Sequence, residues 1–437
     1  MTPRRAILTI GAALLSVATL AGQGQVQPRL FGIGTTAAAL FDDSVLHELR
    51  LAVNARDWES LKANFLDNTY YPADFRWRDQ VVRGVGIRSR GNITRSGTKP
   101  GLRVDFDRYT TDQTFLGLKS LVLRNNTQDP SGMNERLSML IFRRMGVPAS
   151  REVHTTLYIN DEYVGLYTIV ESLDKGFLKR TLGEDTGYLF EYNWVDPYYF
   201  EDRGSDPDTY VPGMFQPQTH EDNPRAEFIP RLVTTINRTG DAAFRTVMND
   251  YVDLTKFIRY MAVELFIGDG DGFIGNMGMS NFYLYRYNNR TLFTFLPWDK
   301  SEAFKEGAGR SVFRGITDVP EEQQNRLLKR ALDSPDLYAL YLNTLLETAQ
   351  SIGPAVAGEP GWLETEVARE YDQIRDAAHA DPVAPFTGDE FEAAVDGLRG
   401  FAQWRSSYVV DEIARVQSLS RRSPFYRQLP LPKSRKD

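Results

Sequence analysis

Cysteine is absent from this 437-residue chain, and histidine is scarce, at four widely separated positions (His47, His154, His220 and His379). The first absence excludes thiol catalysis, thiolate metal sites and disulfides. The second argues against a zinc site built on imidazoles. No long basic run precedes the tail and the net charge is −7, so nucleic acid is not an expected partner. Beyond the N-terminal region no uninterrupted apolar stretch reaches spanning length, so no membrane span is expected in the mature chain. The 42% hydrophobic and 12% aromatic content argues against disorder, and a sizeable core is expected.

The N-terminus carries Arg4 and Arg5, then the apolar run ILTIGAALLSVATLAG with a small-residue exit. That order predicts a signal peptide over residues 1–22 and export to the periplasm, the cell surface or the medium. The paired arginines also fit the twin-arginine export pattern loosely.

Hydropathy then divides the chain. Period-two alternation in VVRGVGIRSRG places Val85, Ile87 and Ser89 on one face, with Arg88 and Arg90 on the other; GLRVDFD and FLGLKSLVLRNN continue the pattern. Leu137, Leu140, Ile141 and Met145 recur at helical spacing ahead of Gly146 and Pro148, a helix and its stop. VHTTLYINDEYVGLYTIVESLD reads as a hairpin turning at Asn160–Asp161. These elements predict a β-rich lobe over residues 40–200. A loop insertion is expected at 203–226, then a mainly helical lobe at 227–420 and a basic tail at 421–437. The class is α+β.

In the second lobe, GDGDGFIGNMGMSN precedes a hairpin that runs out through FYLYRYNN and back through RTLFTFLPW to Asp299. The residues before and after a tight strand pair lie near each other, so Asn281 or Asn276 should meet Asp299, with Asp271 or Asp269 alongside. Hard oxygens converging this way suit Mg²⁺ or Mn²⁺, and a further carboxylate could accept a hydroxyl proton. Asp and Asn also simply make turns at hairpin ends. Earlier, RGNITRSGTKPG lies between two strands, where Arg90, Lys99 and Arg103 are cations able to reach phosphates; Glu135 on the next helix could pair with such a cation.

Several motifs, in order, resemble the spore-coat protein H (CotH) kinase-like family: SRGNITRSGTKPGLRVDF, the FLGLKSLVLRNN strand through the RRMGVP helix exit, the YINDEYVGLY hairpin, NFYLYR and FLPWD. The similarity spans roughly residues 45–415. It implies an atypical protein-kinase-like fold of two lobes that binds ATP and a divalent metal between them. Some members of that family phosphorylate Ser/Thr of secreted or coat proteins; others act as surface adhesins. By the same resemblance Asp299 matches the metal-binding Asp of PWD, Asn281 the metal-binding Asn, and Glu171 the Glu that follows the hairpin. The family's catalytic Asp falls five residues before that Asn, where this chain has Asn276. Asp271 fills the role if GNMGM is an insertion, or if Asp271 and Asn276 are themselves the working pair. Ser301 stands where the family often has a second acid. The two functions in view are therefore an exported Ser/Thr kinase and a catalytically silent binding module that recognises a surface or matrix partner.

Overall fold

The computed structural model describes residues 36–422 apart from residue 357. The expected signal peptide, and the expected basic tail from residue 423 onward, lie outside the described residues. Alternation of buried and exposed positions in HELRLAV makes β1 (His47–Val53), which buries Leu49 and Leu51 and precedes a helix, Ala55–Ala63, capped by Asn54. β2 (Tyr71–Trp77), β3 (Gln80–Ser89), β4 (Leu102–Asp105) and β5 (Ser120–Arg124) follow as an antiparallel series. β6 (Glu152–Ile159) and β7 (Glu162–Glu171) form the hairpin at Asn160 and Asp161, whose left-handed φ angles of 52° and 67° suit a tight two-residue turn.

These strands close into a barrel in the order β1-β2-β3-β4-β5-β7-β6, sealed by parallel pairing of β1 with β6. Its interior packs Phe75, Phe106 and Phe115 within 5.5 Å of one another, ring centre to ring centre. The helix Asn134–Arg144 crosses between β5 and β6 and ends at Gly146, where φ is 75°.

A second sheet has the order β11-β10-β8-β9, built from β8 (Tyr188–Tyr192), β9 (Phe215–Pro217), β10 (Phe282–Arg286) and β11 (Phe293–Pro297). The helix Leu254–Ile267 begins at Asp253, whose carboxylate accepts from the amides of Thr255 and Lys256, and ends at left-handed Gly268. It packs on the helix Pro335–Ile352, and Trp362–His379 and Gly388–Arg422 complete the helical part. Residues 203–226 hold a short 3₁₀ turn, Pro207–Thr209, and β9. The fold is thus α+β. A small apolar cluster of Val122, Val170, Phe177, Tyr283 and Trp298 joins β5 and β7 of the barrel to the second sheet, at the end of the hairpin that carries Asp299. Among the described residues no helix is long and apolar enough to cross a membrane.

Candidate active site

Pairing sets the site. Phe282 faces Pro297 across β10 and β11, so Asn281 and Trp298 are the next positions along the ladder. The Trp298 amide donates to the Asn281 carbonyl at 3.2 Å. Both Asn281 (φ 55°) and Asp299 (φ 47°) sit in the left-handed region, a conformation that Asn and Asp adopt more readily than bulkier side chains. Two short polar side chains are thereby held at one end of a hairpin whose first strand is buried throughout.

The glycine loop closes over this end. Asn281 Nδ2 donates to Asp271 Oδ2 at 2.9 Å and to the Asp271 carbonyl at 2.7 Å. The Asp271 amide in turn donates to Asp269 Oδ1 at 3.1 Å. Beneath the loop lies Lys300, fully buried, with Nζ 2.9 Å from Glu264 Oε1, 3.0 Å from Asp269 Oδ2 and 3.2 Å from the Asn281 carbonyl. Glu264 also accepts the Phe273 amide at 2.7 Å. A Cβ on Gly272 would stand 1.9 Å from Glu264 Oε1, so glycine is required for the loop to lie this close. Burial first, then the nearby Asp269 and Asp299 charges, push the Asp271 carboxyl up to about 6.

Asp299 is shared by two partners. Arg124 Nη1 lies 2.7 Å from its Oδ2, and Ser301 Oγ donates to its Oδ1 at 3.0 Å. Burial alone would raise this carboxyl, but the Arg124 guanidinium and the Ser301 hydroxyl hold it below the ordinary Asp value. Arg124 also pairs through Nε with Glu135 on the helix Asn134–Arg144. Glu135 is pushed up to about 7, chiefly by burial and against the pull of Arg124. The Glu152 carboxyl, also buried, is pushed well above the ordinary Glu value by burial and then by the Glu135 charge. Trp298 is contacted by two cations: the guanidinium carbons of Arg124 and Arg90 lie 5.0 Å and 5.2 Å from its ring centre.

The other residues singled out in the sequence are held as follows. Arg90, besides stacking on Trp298, approaches Glu191 at 3.9 Å. Arg103 donates to Ser120 Oγ at 3.1 Å and lies 3.9 Å from Asp105. Lys99 is buried and pairs at 2.6 Å with Asp381, in the turn after the helix Trp362–His379. Glu171, at the end of β7, is clamped by Arg151 at 2.7 Å and by Arg180. Asn276 is exposed and bonds with Glu306, Arg310 and Arg314. The structure therefore brings Asp271, Asn281, Asp299 and Arg90 to one place, while Lys99, Glu171 and Asn276 each serve another set of partners. Glu135 does find a cation, and the cation is Arg124.

Arg124, Lys300 and Glu264 were not singled out in the sequence. A signal for two of them exists. Glu264 is a lone acid in the apolar helix FIRYMAVELFI, and Arg124 ends the buried strand SLVLR; a buried charge in either setting needs a partner.

This geometry stands in a recognisable family. A family model described as CotH kinase protein matches residues 87–409, and the chain belongs to that family. The inner spore coat protein H of Bacillus subtilis (strain 168) is 24% identical over 371 residues, covering 84% of this chain and 97% of that protein. Two proteins of Rhizopus delemar, spore coat protein homolog 1 and invasin CotH7, are each 21% identical. They align with 76% and 73% of this chain but with only 56% and 54% of their own lengths. The resemblance carried by RGN, the glycine hairpin, NFYLYR and PWD is thus the family membership itself.

Proposed function

We propose that this chain transfers the γ-phosphoryl group of ATP to a Ser or Thr hydroxyl of a secreted or surface protein, with Mg²⁺ or Mn²⁺. The observation that carries this reading is the Asp271–Asn281–Asp299 constellation at the end of a buried hairpin. Its donor set fits such an ion: carboxylate and amide oxygens are hard ligands. Among the described residues no cluster of three or more His, Cys, Asp or Glu could enclose a metal alone. Mg²⁺ bound by one or two protein oxygens plus phosphates needs no such cluster.

In this reading Asn281 and Asp299 hold the metal, which neutralises phosphate charge when bound. Arg124 and Arg90, both held against the Trp298 ring, steady the phosphates. Asp271 orients the acceptor hydroxyl and takes its proton as the new oxygen–phosphorus bond forms. The bond to the β–γ bridging oxygen breaks and ADP leaves. A carboxyl raised to about 6 is ionised at neutral pH yet more basic than an ordinary Asp, as a base for this step should be. Export is supported by the N-terminal leader pattern and by relatives named for spore coats and invasion.

The test is incorporation of labelled phosphate from ATP into the protein itself or a generic acceptor with Mg²⁺ or Mn²⁺, with loss in Asp299→Ala. A second reading, a silent module that binds a surface partner, is favoured by one observation: Asn276 is engaged by Arg310 and Arg314, and no acid takes its place in sequence. Absence of any nucleotide- and metal-dependent rise in melting temperature would decide for that reading.

A further inference from the structure

The loop that presents Asp271 has five glycines among the eleven residues from Gly268 to Gly278, so its own backbone does little to hold it in one shape. Arg314 holds it from outside. Its Nη2 donates to the Asp269 carbonyl at 3.1 Å and to the Ile274 carbonyl, and its Nη1 donates to Asn276 Oδ1. Arg310 Nη2 is a second donor to the same Asn276 oxygen at 3.3 Å, while Asn276 Nδ2 donates to Glu306 at 3.2 Å. The two clasped carbonyls flank Asp271 along the chain, one on each side. Arg314 itself stands on a fixed base. Val312 and Phe313 before it are buried, and the Val312 amide donates to Glu412 at 3.0 Å. Fully buried Arg405 donates to the carbonyls of Leu265 at 2.9 Å and Phe266 at 2.7 Å, at the end of the helix that leads into the loop. The same guanidinium donates to the carbonyls of Ala308 at 2.8 Å and of Arg310, so the helix end and the segment that carries Arg314 share one support.

We propose that Arg314 is a positioning residue for the base: it clasps the loop on both sides of Asp271 and so sets where that carboxylate meets the acceptor hydroxyl. Asn276 is the side-chain anchor of the clasp, which gives this position a task other than chemistry. A guanidinium suits the work because its planar fork serves three acceptors at once, whereas an ammonium on a flexible stem cannot reproduce that geometry. Misplacing a reacting group by about 1 Å costs about 10²-fold in rate, so the clasp weighs more on turnover than on stability. Its consequence for rate rests on the phosphoryl-transfer reading, while its hold on the loop is measured without any turnover.

The experiment compares the full chain with Arg314→Ala and with Arg314→Lys, which keeps the charge without the fork. Two readouts run side by side: phosphate transfer from labelled ATP, and hydrogen exchange at the amides of Asn276 and Ser280, which bond inside the loop to the carbonyls of Gly270 at 2.9 Å and Gly272 at 3.1 Å. In Arg314→Ala these amides should exchange faster and kcat should fall by about 10²-fold, with KM for ATP and the melting shift given by Mn²⁺ with ATP retained. The acid limb of kcat/KM, set by a carboxyl that burial raises to about 6, should move to lower pH as water reaches Asp271. Millimolar guanidinium should restore both exchange protection and transfer to Arg314→Ala, where ammonium at the same concentration does not. Arg314→Lys should fall between Arg314→Ala and the parent. Parental transfer in both variants overturns the proposal, whether or not exchange quickens. So does a joint decline of kcat, nucleotide binding and melting temperature that guanidinium does not reverse, since that is the mark of a merely structural arginine. Should guanidinium-dependent protection appear in a chain that never transfers phosphate, the clasp stands and the phosphoryl-transfer reading falls.

Discussion

Asn281 donates its side-chain amide to Asp271 Oδ2 at 2.9 Å, and so fixes the carboxylate that the site would use as a base. The bond also points the Asn281 amide oxygen away from Asp271, since one amide cannot present nitrogen and oxygen to the same atom. Asp271→Asn should therefore lower the rate of phosphate transfer by about 10²–10⁴-fold, the usual worth of a positioned base. Single-turnover labelling checks this, with the melting temperature changing little because the substitution keeps the shape of the side chain. A variant as active as the parent would remove Asp271 from the chemistry.

Asp299→Asn should abolish the rise in melting temperature produced by Mn²⁺ with ATP, while Arg124 keeps its pairing with Glu135. A ligand at a hundred times its dissociation constant stabilises by about 2.7 kcal/mol, well within reach of a thermal scan. Retention of the full shift would show that the metal binds elsewhere.

Lys300→Met is expected to destabilise the fold by about 3–5 kcal/mol, because Glu264 and Asp269 would be left as buried acids without their cation. Urea denaturation measures it. The double variant Lys300→Met with Glu264→Gln should recover part of the loss, whereas a purely additive decline would mean that the two residues do not act as a pair.

The pH dependence has a definite sign. Asp271 works ionised, and its carboxyl is raised to about 6 by burial and by Asp269 and Asp299. kcat/KM should accordingly fall as pH drops through about 6, and Asp269→Asn, which removes a neighbouring negative charge, should move that fall to lower pH. Glu135, raised to about 7, titrates in an overlapping window. Glu135→Gln leaves the Asp271 limb in place if the assignment is right. A limb that disappears with Glu135→Gln and ignores Asp269→Asn would reassign it to Glu135.

Local pattern carried much of the fold. Alternation predicted β3 with Val85 and Ile87 inward, and both are fully buried; helical spacing with Gly146 and Pro148 predicted the helix that spans Asn134–Arg144. The hairpin likewise predicted that Asn281 would lie near the end of FLPWD, because antiparallel register is local once the turn is fixed. Barrel closure was not legible, since β1 and β6 pair in parallel across about a hundred residues and nothing local marks such partners. Nor were the ion networks: which acid meets Arg124 or Lys300 depends on elements brought together only by the tertiary fold. The loop cations show the same limit, with Arg90 stacked on Trp298 while Lys99 turns to Asp381.

Sealing β1 against β6 has a consequence for assembly. A closed ring of strands offers no free row of amides and carbonyls, so another polypeptide has nothing there to extend edge to edge. Among the described residues only β9, three residues long, and β11 border the second sheet, and Phe293 of β11 already bridges to Val252. Edge-to-edge pairing with another polypeptide is thereby confined to the short borders of the second sheet.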